Sequence, residues 1–368
     1  MELTRRQVMS VGARATLAYF MGRTALKTAR AQEPLTVGFV YVGPKNDGGW
    51  TQSHDIGRLH IERALGVKTI YQESVPEGAD AERVIRDMVN KGAGLVFTTS
   101  YGFLPATVNV AAQFPDVKFV HISGYVPDLK PDGNLATLFG WQDEARYVCG
   151  RVAGAMSPTG TLGMVAAFPI PEVIRAINAY ALGARKSNPD ATVKVVFTNT
   201  WHDPQKETSA AEALLDAGVD VMAQYQDSPA VAQAAETRGV YAVGNDLDMS
   251  KGLVEPPHPY DLDGIVTNQL TAPVWVWDKE YERITRSVID GTFKGENRIA
   301  HWADGITGLA PLHADVLARP DVVAMVEAET AAFTSGAQSN FTTFAGKSVM
   351  DLLGMNTFVE GVEGELPE

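Results

Sequence analysis

The sequence predicts an α/β protein of two Rossmann-like lobes, each built on a parallel sheet, with the lobes joined by a hinge of short crossing strands. Three observations predict it. From Leu35 onward, short apolar runs alternate with amphipathic stretches of roughly ten to fifteen residues, the pattern of parallel strands linked by right-handed crossover helices. The runs are near-continuously apolar, as expected of strands covered by helices on both faces. The series then restarts near Thr161, which gives two lobes rather than one. A length of 368 residues accommodates both.

The first series begins with a strand over Leu35–Val42, stopped by Gly43-Pro44, and a second over Lys68–Tyr71. Between them a helix starts near Trp50. Residues 79–92 form a helix with Val84, Ile85, Met88 and Val89 on one face. Strands follow over Gly94–Thr99 and Lys118–Ile122, then a helix over 143–156. The second series reads as strand 161–167, helix 171–186, strand 192–198, helix 204–217, strand 219–224, helix 229–238 and strand 241–244. A further strand spans Gly264–Leu270. The aromatic-rich stretch 272–291 reads as a long helix, with Trp275, Trp277 and Tyr281 at core spacing and Gly291 past its end. These elements assign 32–143 plus 270–292 to the first lobe and 144–269 plus 293–368 to the second.

Composition narrows the function classes. A formal net charge of -13 argues against a nucleic-acid partner, whose phosphates require basic stripes. Cys149 is the sole cysteine, so neither an intramolecular disulfide nor a cysteine-based metal cluster is possible; it sits in an apolar run and reads as a small core residue. His54 and His60 are six residues apart on one helix, roughly 120° from sharing a face at about 100° per residue, so no metal is expected there. Gly346-Lys347-Ser348 ends like a phosphate loop, but Phe341 stands where the loop needs its first Gly. No cofactor is expected.

Residues 1–31 read as an export signal of twin-arginine type: Arg5-Arg6, an apolar stretch over Leu17–Met21, and Ala29-Arg30-Ala31 as a small-x-small cleavage site before Gln32. The stretch is too short and too charged to span a bilayer, and no cysteine near the cleavage site could carry a lipid. The expected mature protein is soluble and exported.

Ligands of open parallel sheets bind outside the carboxyl ends of the strands, so the residues following each strand are the site candidates. Trp50 and Trp201, one from each half, could sandwich a flat ring, each stack adding roughly 0.5–1.5 kcal/mol beyond area burial. Phe168 follows another core strand. Asp246 offers a carboxylate able to accept two N–H groups; Asp248 better fits a helix cap. Asp227 and Asp47 are further acceptors or, alternatively, turn formers. Glu144 either points at a ligand or favours its own helix start. Ser100 and Tyr101 could add hydroxyl contacts. Together these describe a cleft for a flat, hydrogen-bonding molecule.

Five segments in order resemble the basic membrane protein family of periplasmic binding proteins: Asp47-Gly48-Gly49-Trp50-Thr51-Gln52, Glu144–Gly150, Ile170-Pro171-Glu172-Val173, Trp201–Lys206 and Gly244-Asn245-Asp246-Leu247-Asp248. The resemblance covers roughly Leu35 to Ala310. It implies a type I periplasmic binding protein fold and a solute receptor that closes on its ligand and hands it to the permease of an ABC importer, as a periplasmic monomer and not as an enzyme. The element Gln224-Tyr225-Gln226-Asp227-Ser228-Pro229 is similar to the branch that receives purine bases such as adenine. Nucleoside-binding members carry a Lys where this chain has Val266–Thr271 without one, so the resemblance implies a free nucleobase rather than a nucleoside. A sugar or signalling ligand, a nucleoside-processing enzyme and a ligand-responsive regulator are the alternatives.

Overall fold

A computed structural model describes residues 34–250 and 266–366. The proposed export signal and residues 264–265 of the predicted 264–270 strand lie outside those residues. Apolar runs form the strands where expected: β1 (Thr36–Tyr41), β2 (Lys68–Gln72), β3 (Leu95–Thr99) and β4 (Lys118–Ile122). β5 (Leu135–Gly140) and β12 (Asn297–Ala300) complete the first sheet, in the order β12-β5-β4-β3-β1-β2, every neighbouring pair parallel. The second sheet holds β6 (Thr161–Ala166), β7 (Thr192–Phe197), β8 (Val221–Tyr225), β9 (Tyr241–Val243), β10 (Gln269–Thr271) and β14 (Val362–Glu363), in the parallel order β10-β9-β8-β6-β7-β14. These are the two parallel-sheet lobes of a type I binding protein.

The helices that position the site are α1 (Trp50–Leu65), α2 (Ala79–Asn90), α3 (Leu104–Ala111), α4 (Asp143–Met156), α5 (Pro171–Ser187), α6 (Pro204–Asp216), α7 (Ala230–Thr237) and α8 (Asp278–Ile289). Their starts follow sequence logic. Pro171 and Pro204 occupy the first helical position, where a missing N–H costs nothing, and Asp203 caps α6 by accepting the Lys206 N–H. Gly291 has φ of 68° just past α8, ending that helix in the left-handed conformation. Cys149 is fully buried in the second-lobe core.

Among the described residues, the chain crosses between the sheets three times. It crosses at Trp141–Asp143 after β5, at 272–277 after β10, and at 301–306 after β12. The crossings are tied together: the Trp141 N–H donates to the Ala300 carbonyl over 2.8 Å, and β11 (Pro273–Trp275) pairs antiparallel with β13 (Thr307–Leu309). The residues from Leu35 onward form one compact unit.

Three assignments differ from the sequence reading. The stretch 272–291 is a strand and then a helix. Trp275 and Trp277 are buried while Val276 between them is 37% exposed, a period of two that belongs to extended chain; the four-residue step from Trp277 to Tyr281 carries the helical signal. The lobe boundary shifts as well. β10 joins the second sheet and β12 the first, because Asn297-Arg298-Ile299-Ala300 is a half-buried edge strand without a long apolar run. β5 is fully buried yet was not assigned; it follows a polar, Pro/Gly-bearing stretch from Ser123 to Asn134 that reads as loop.

Candidate functional site

A small cavity lies between the sheets at the carboxyl ends of their strands. Val42, Trp50, Ser100, Tyr101 and Ser123 line it from the first lobe. Glu172, Trp201, Tyr225, Asp227 and Asp246 line it from the second. Trp50 opens α1. Its indole N–H donates to the Thr99 carbonyl over 2.7 Å, and its ring meets His54, Trp275 and Trp277 edge-on at 4.3–5.8 Å between centroids. Behind it Trp277 stacks on His54 and Tyr281, so this wall is rigid. Trp201 is set differently. It is half-buried in the loop after β7, leans on Phe168 at 5.0 Å, and its indole N–H has no partner.

The charged residues of the lining are all acidic. Asp246 accepts the Gln142 amide over 2.9 Å, and its own carbonyl accepts the Trp275 N–H over 3.0 Å, which anchors it to the crossing strands. Burial lifts its carboxyl to about 6. Asp227 is pushed well above the usual carboxylate range by burial, then by Asp47, Asp246, Glu207 and Glu172 around it; its Oδ2 has no partner. Burial lifts Glu172 to about 7. Tyr225 donates its hydroxyl to Glu172 Oε1 over 2.9 Å, and Glu172 Oε2 has no partner. No Lys or Arg lines the cavity. Arg146, the cation behind it, donates from its two terminal nitrogens to the Gln224 carbonyl, Gln142 and Asn245, while its Nε has no partner. Two lining residues, Ser123 (φ 74°) and Asp246 (φ 63°), hold left-handed backbone without being glycine, a strain that concentrates at functional sites. The lobes touch at this point: a Cβ on Gly49 would stand 2.9 Å from the Asp227 carbonyl oxygen.

Residues 35–318 match the model of a family described as ABC transporter substrate-binding protein, PnrA-like. The chain belongs to the PnrA-like family of ABC transporter substrate-binding proteins. This PnrA-like chain is 41% identical to a purine-binding protein of Brucella abortus, over 96% of its own length and 99% of that protein's. It is 35% identical to a putative ABC transporter glucose-binding protein of Haloferax volcanii, over 91% of its own length and 82% of that protein's. An ABC transporter solute-binding protein from Conexibacter woesei shares its fold, with a TM-score of 0.65 at 23% identity, covering 83% of this chain and 97% of that one.

Of the residues singled out in the PnrA-like sequence, Trp50, Trp201, Asp246, Asp227, Ser100 and Tyr101 come together around the cavity. Asp47 does not line it. Its two oxygens accept the N–H groups of Gly49, Thr51 and Gln52 at 2.8–3.0 Å, so it caps α1 and holds Trp50 in place. Glu144 is also elsewhere. It accepts from His301 Nδ1 over 2.7 Å and from the Trp302 and Asn340 N–H groups over 2.8 and 3.0 Å, stapling the last crossing to α4. Phe168 buttresses Trp201 from behind. Val42, Ser123, Glu172 and Tyr225 line it as well, beyond the residues the sequence singles out. Tyr225 ends β8 and Glu172 is the second residue of α5, both within segments the sequence marks. His54 and His60 serve separate partners, the Tyr281 hydroxyl and Glu282. Among the described residues, no helix is long and apolar enough to cross a membrane.

Proposed function

We propose that this chain captures a purine nucleobase of the adenine type between its lobes and presents the closed form to the permease of an ABC importer. The observation that carries the reading is the lining itself: an indole from each lobe, with three buried carboxylates and no cation between them. Flat rings stack on the indoles, and ring and exocyclic N–H groups meet the acceptors. The name of the Brucella relative supports the purine class. Closure is driven by the ligand's higher affinity for the closed form, and the chain acts as an exported monomer that transforms nothing.

The name of the Haloferax relative supports a second reading, a sugar receptor, because sugar hydroxyls also donate to carboxylates. A thermal-shift panel of adenine, guanine, hypoxanthine, adenosine, ribose and glucose separates the two. Ligand at a hundredfold over Kd stabilises by about 2.7 kcal/mol, a shift of several degrees. Adenine gives the largest shift. An equal shift with adenosine defeats the nucleobase preference, and a shift with glucose alone installs the sugar reading.

A further inference from the structure

The hydroxyls that line the cavity differ in where their protons go. Tyr225 donates to Glu172 over 2.9 Å. Ser100, buried just past the end of β3, donates to Glu77 Oε1 over 2.6 Å. A carboxylate accepts and does not donate, so the proton in that contact is the serine's. Glu77 itself is exposed and does not line the cavity. It stands in the segment between β2 and α2, which is tied to the end of β1: the Ser74 N–H donates to the Gly43 carbonyl and the Val75 N–H to the Tyr41 carbonyl, both over 3.0 Å. The same Oε1 accepts the Gly102 N–H over 2.8 Å, and a Cβ at Gly102 would fall on the Glu77 carboxyl. From the other side, His121 Nε2 donates to the Ser100 carbonyl over 2.8 Å. Ser100 is thus held at main chain and side chain, with its one hydroxyl proton directed at Glu77.

We propose that Glu77, from outside the cavity, is a positioning residue that sets specificity: by taking the Ser100 proton it leaves Ser100 an acceptor, so the first lobe receives an exocyclic amine and rejects a carbonyl at the same place. This rests on the purine reading above. An amine hydrogen meets a lone pair on Ser100 Oγ. An oxo group there sets lone pair against lone pair, and no cation in the lining relieves it. Freed from Glu77, the hydroxyl rotates and donates, and the preference for amine over oxo shrinks.

The test compares adenine with hypoxanthine, which carries an oxo group in place of the amine, by calorimetry in wild type, Glu77→Ala, Glu77→Gln and Ser100→Ala. Wild type prefers adenine. Glu77→Ala lowers the adenine-to-hypoxanthine affinity ratio about tenfold. Glu77→Gln keeps the ratio within about twofold, because a glutamine carbonyl oxygen accepts both bonds that Oε1 accepts. In a Ser100→Ala background, Glu77→Ala changes the ratio no further. General loosening of the loop lowers both affinities together and leaves the ratio intact. A wild type that prefers hypoxanthine, an unchanged ratio in Glu77→Ala, a ratio that moves equally in Glu77→Gln, or the same effect without the Ser100 hydroxyl overturns the proposal. A second measurement needs neither ligand nor variant. In a ligand-free neutron structure of wild type, the deuterium on Ser100 Oγ lies toward Glu77, and deuterium directed into the cavity overturns the proposal whatever binds. If it lies toward Glu77 and no purine binds, the purine reading fails while Ser100 stands as an acceptor set by Glu77.

Discussion

Replacing Asp246 by Asn sets stability against binding in one residue. Asp246 holds φ of 63°, a region Asn occupies as readily as Asp, so the backbone tolerates the change. Burial lifts the carboxyl from 3.8 to about 6. Two pH units at about 1.4 kcal/mol each make ~3 kcal/mol of folding stability that the ionised group costs. The sign follows from proton counting. An acid whose folded value is raised holds its proton longer in the native state, so the cost is absent below about pH 4, grows as pH rises toward 6, and is complete above it. Asn never ionises and escapes the cost. That figure already contains the bond from the Gln142 amide to Asp246 Oδ1 over 2.9 Å, which offsets part of the burial cost. The expectation is a variant up to ~3 kcal/mol more stable than wild type at pH 8 and no more stable near pH 4, read by urea unfolding at the two pH values. Adenine binding moves the other way. Losing one charged acceptor costs about 1.5–3 kcal/mol, roughly ten- to a hundredfold in Kd by calorimetry. A variant destabilised equally at both pH values, with unchanged adenine affinity, would falsify the view that Asp246 is held ionised for its ligand.

Trp201→Ala removes one stacking face and weakens adenine binding by about 1–3 kcal/mol in calorimetry, with Trp201→Phe recovering part; affinity within twofold of wild type contradicts a stacking role. Gly49→Ala places a methyl group 2.9 Å from the Asp227 carbonyl, where the lobes meet. It weakens adenine binding and enlarges the ligand-bound particle in small-angle X-ray scattering; identical closure refutes the contact's role. Glu144→Gln breaks the pair with His301, whose imidazole the Glu144 hydrogen bond holds above its usual value. A raised histidine contributes stability below about pH 6.5 and loses it as pH rises through the folded value. The variant's deficit in unfolding experiments is accordingly larger at pH 5.5 than at pH 8, and a pH-independent deficit denies the linkage.

The fold was legible because each buried parallel strand is an unbroken apolar run and each crossover helix carries one apolar face. It failed where that contrast fades. β12 is a half-buried edge, and the Trp275-Val276-Trp277 alternation merged with the helix that follows it. The strand-end rule found the two indoles and Asp246 because composition alone marks a Trp or Asp there. It could not separate a carboxylate that faces a ligand from one that binds its own helix start. Asp47 and Glu144 each follow a strand and precede or open a helix, and their backbone N–H partners appear only once the chain is folded. Glu172 was passed over for the converse reason: as the residue after Pro171 it reads as an ordinary first-turn acid, and only the convergence of β8 and α5 turns it toward the cavity.

The most direct examination of the account is a crystal structure of the mature chain grown with adenine. The ring is expected between the Trp50 wall and Trp201, with its polar edge on the carboxylates of the lining. Density for the base outside this cavity, or an empty cavity at saturating adenine, would contradict it.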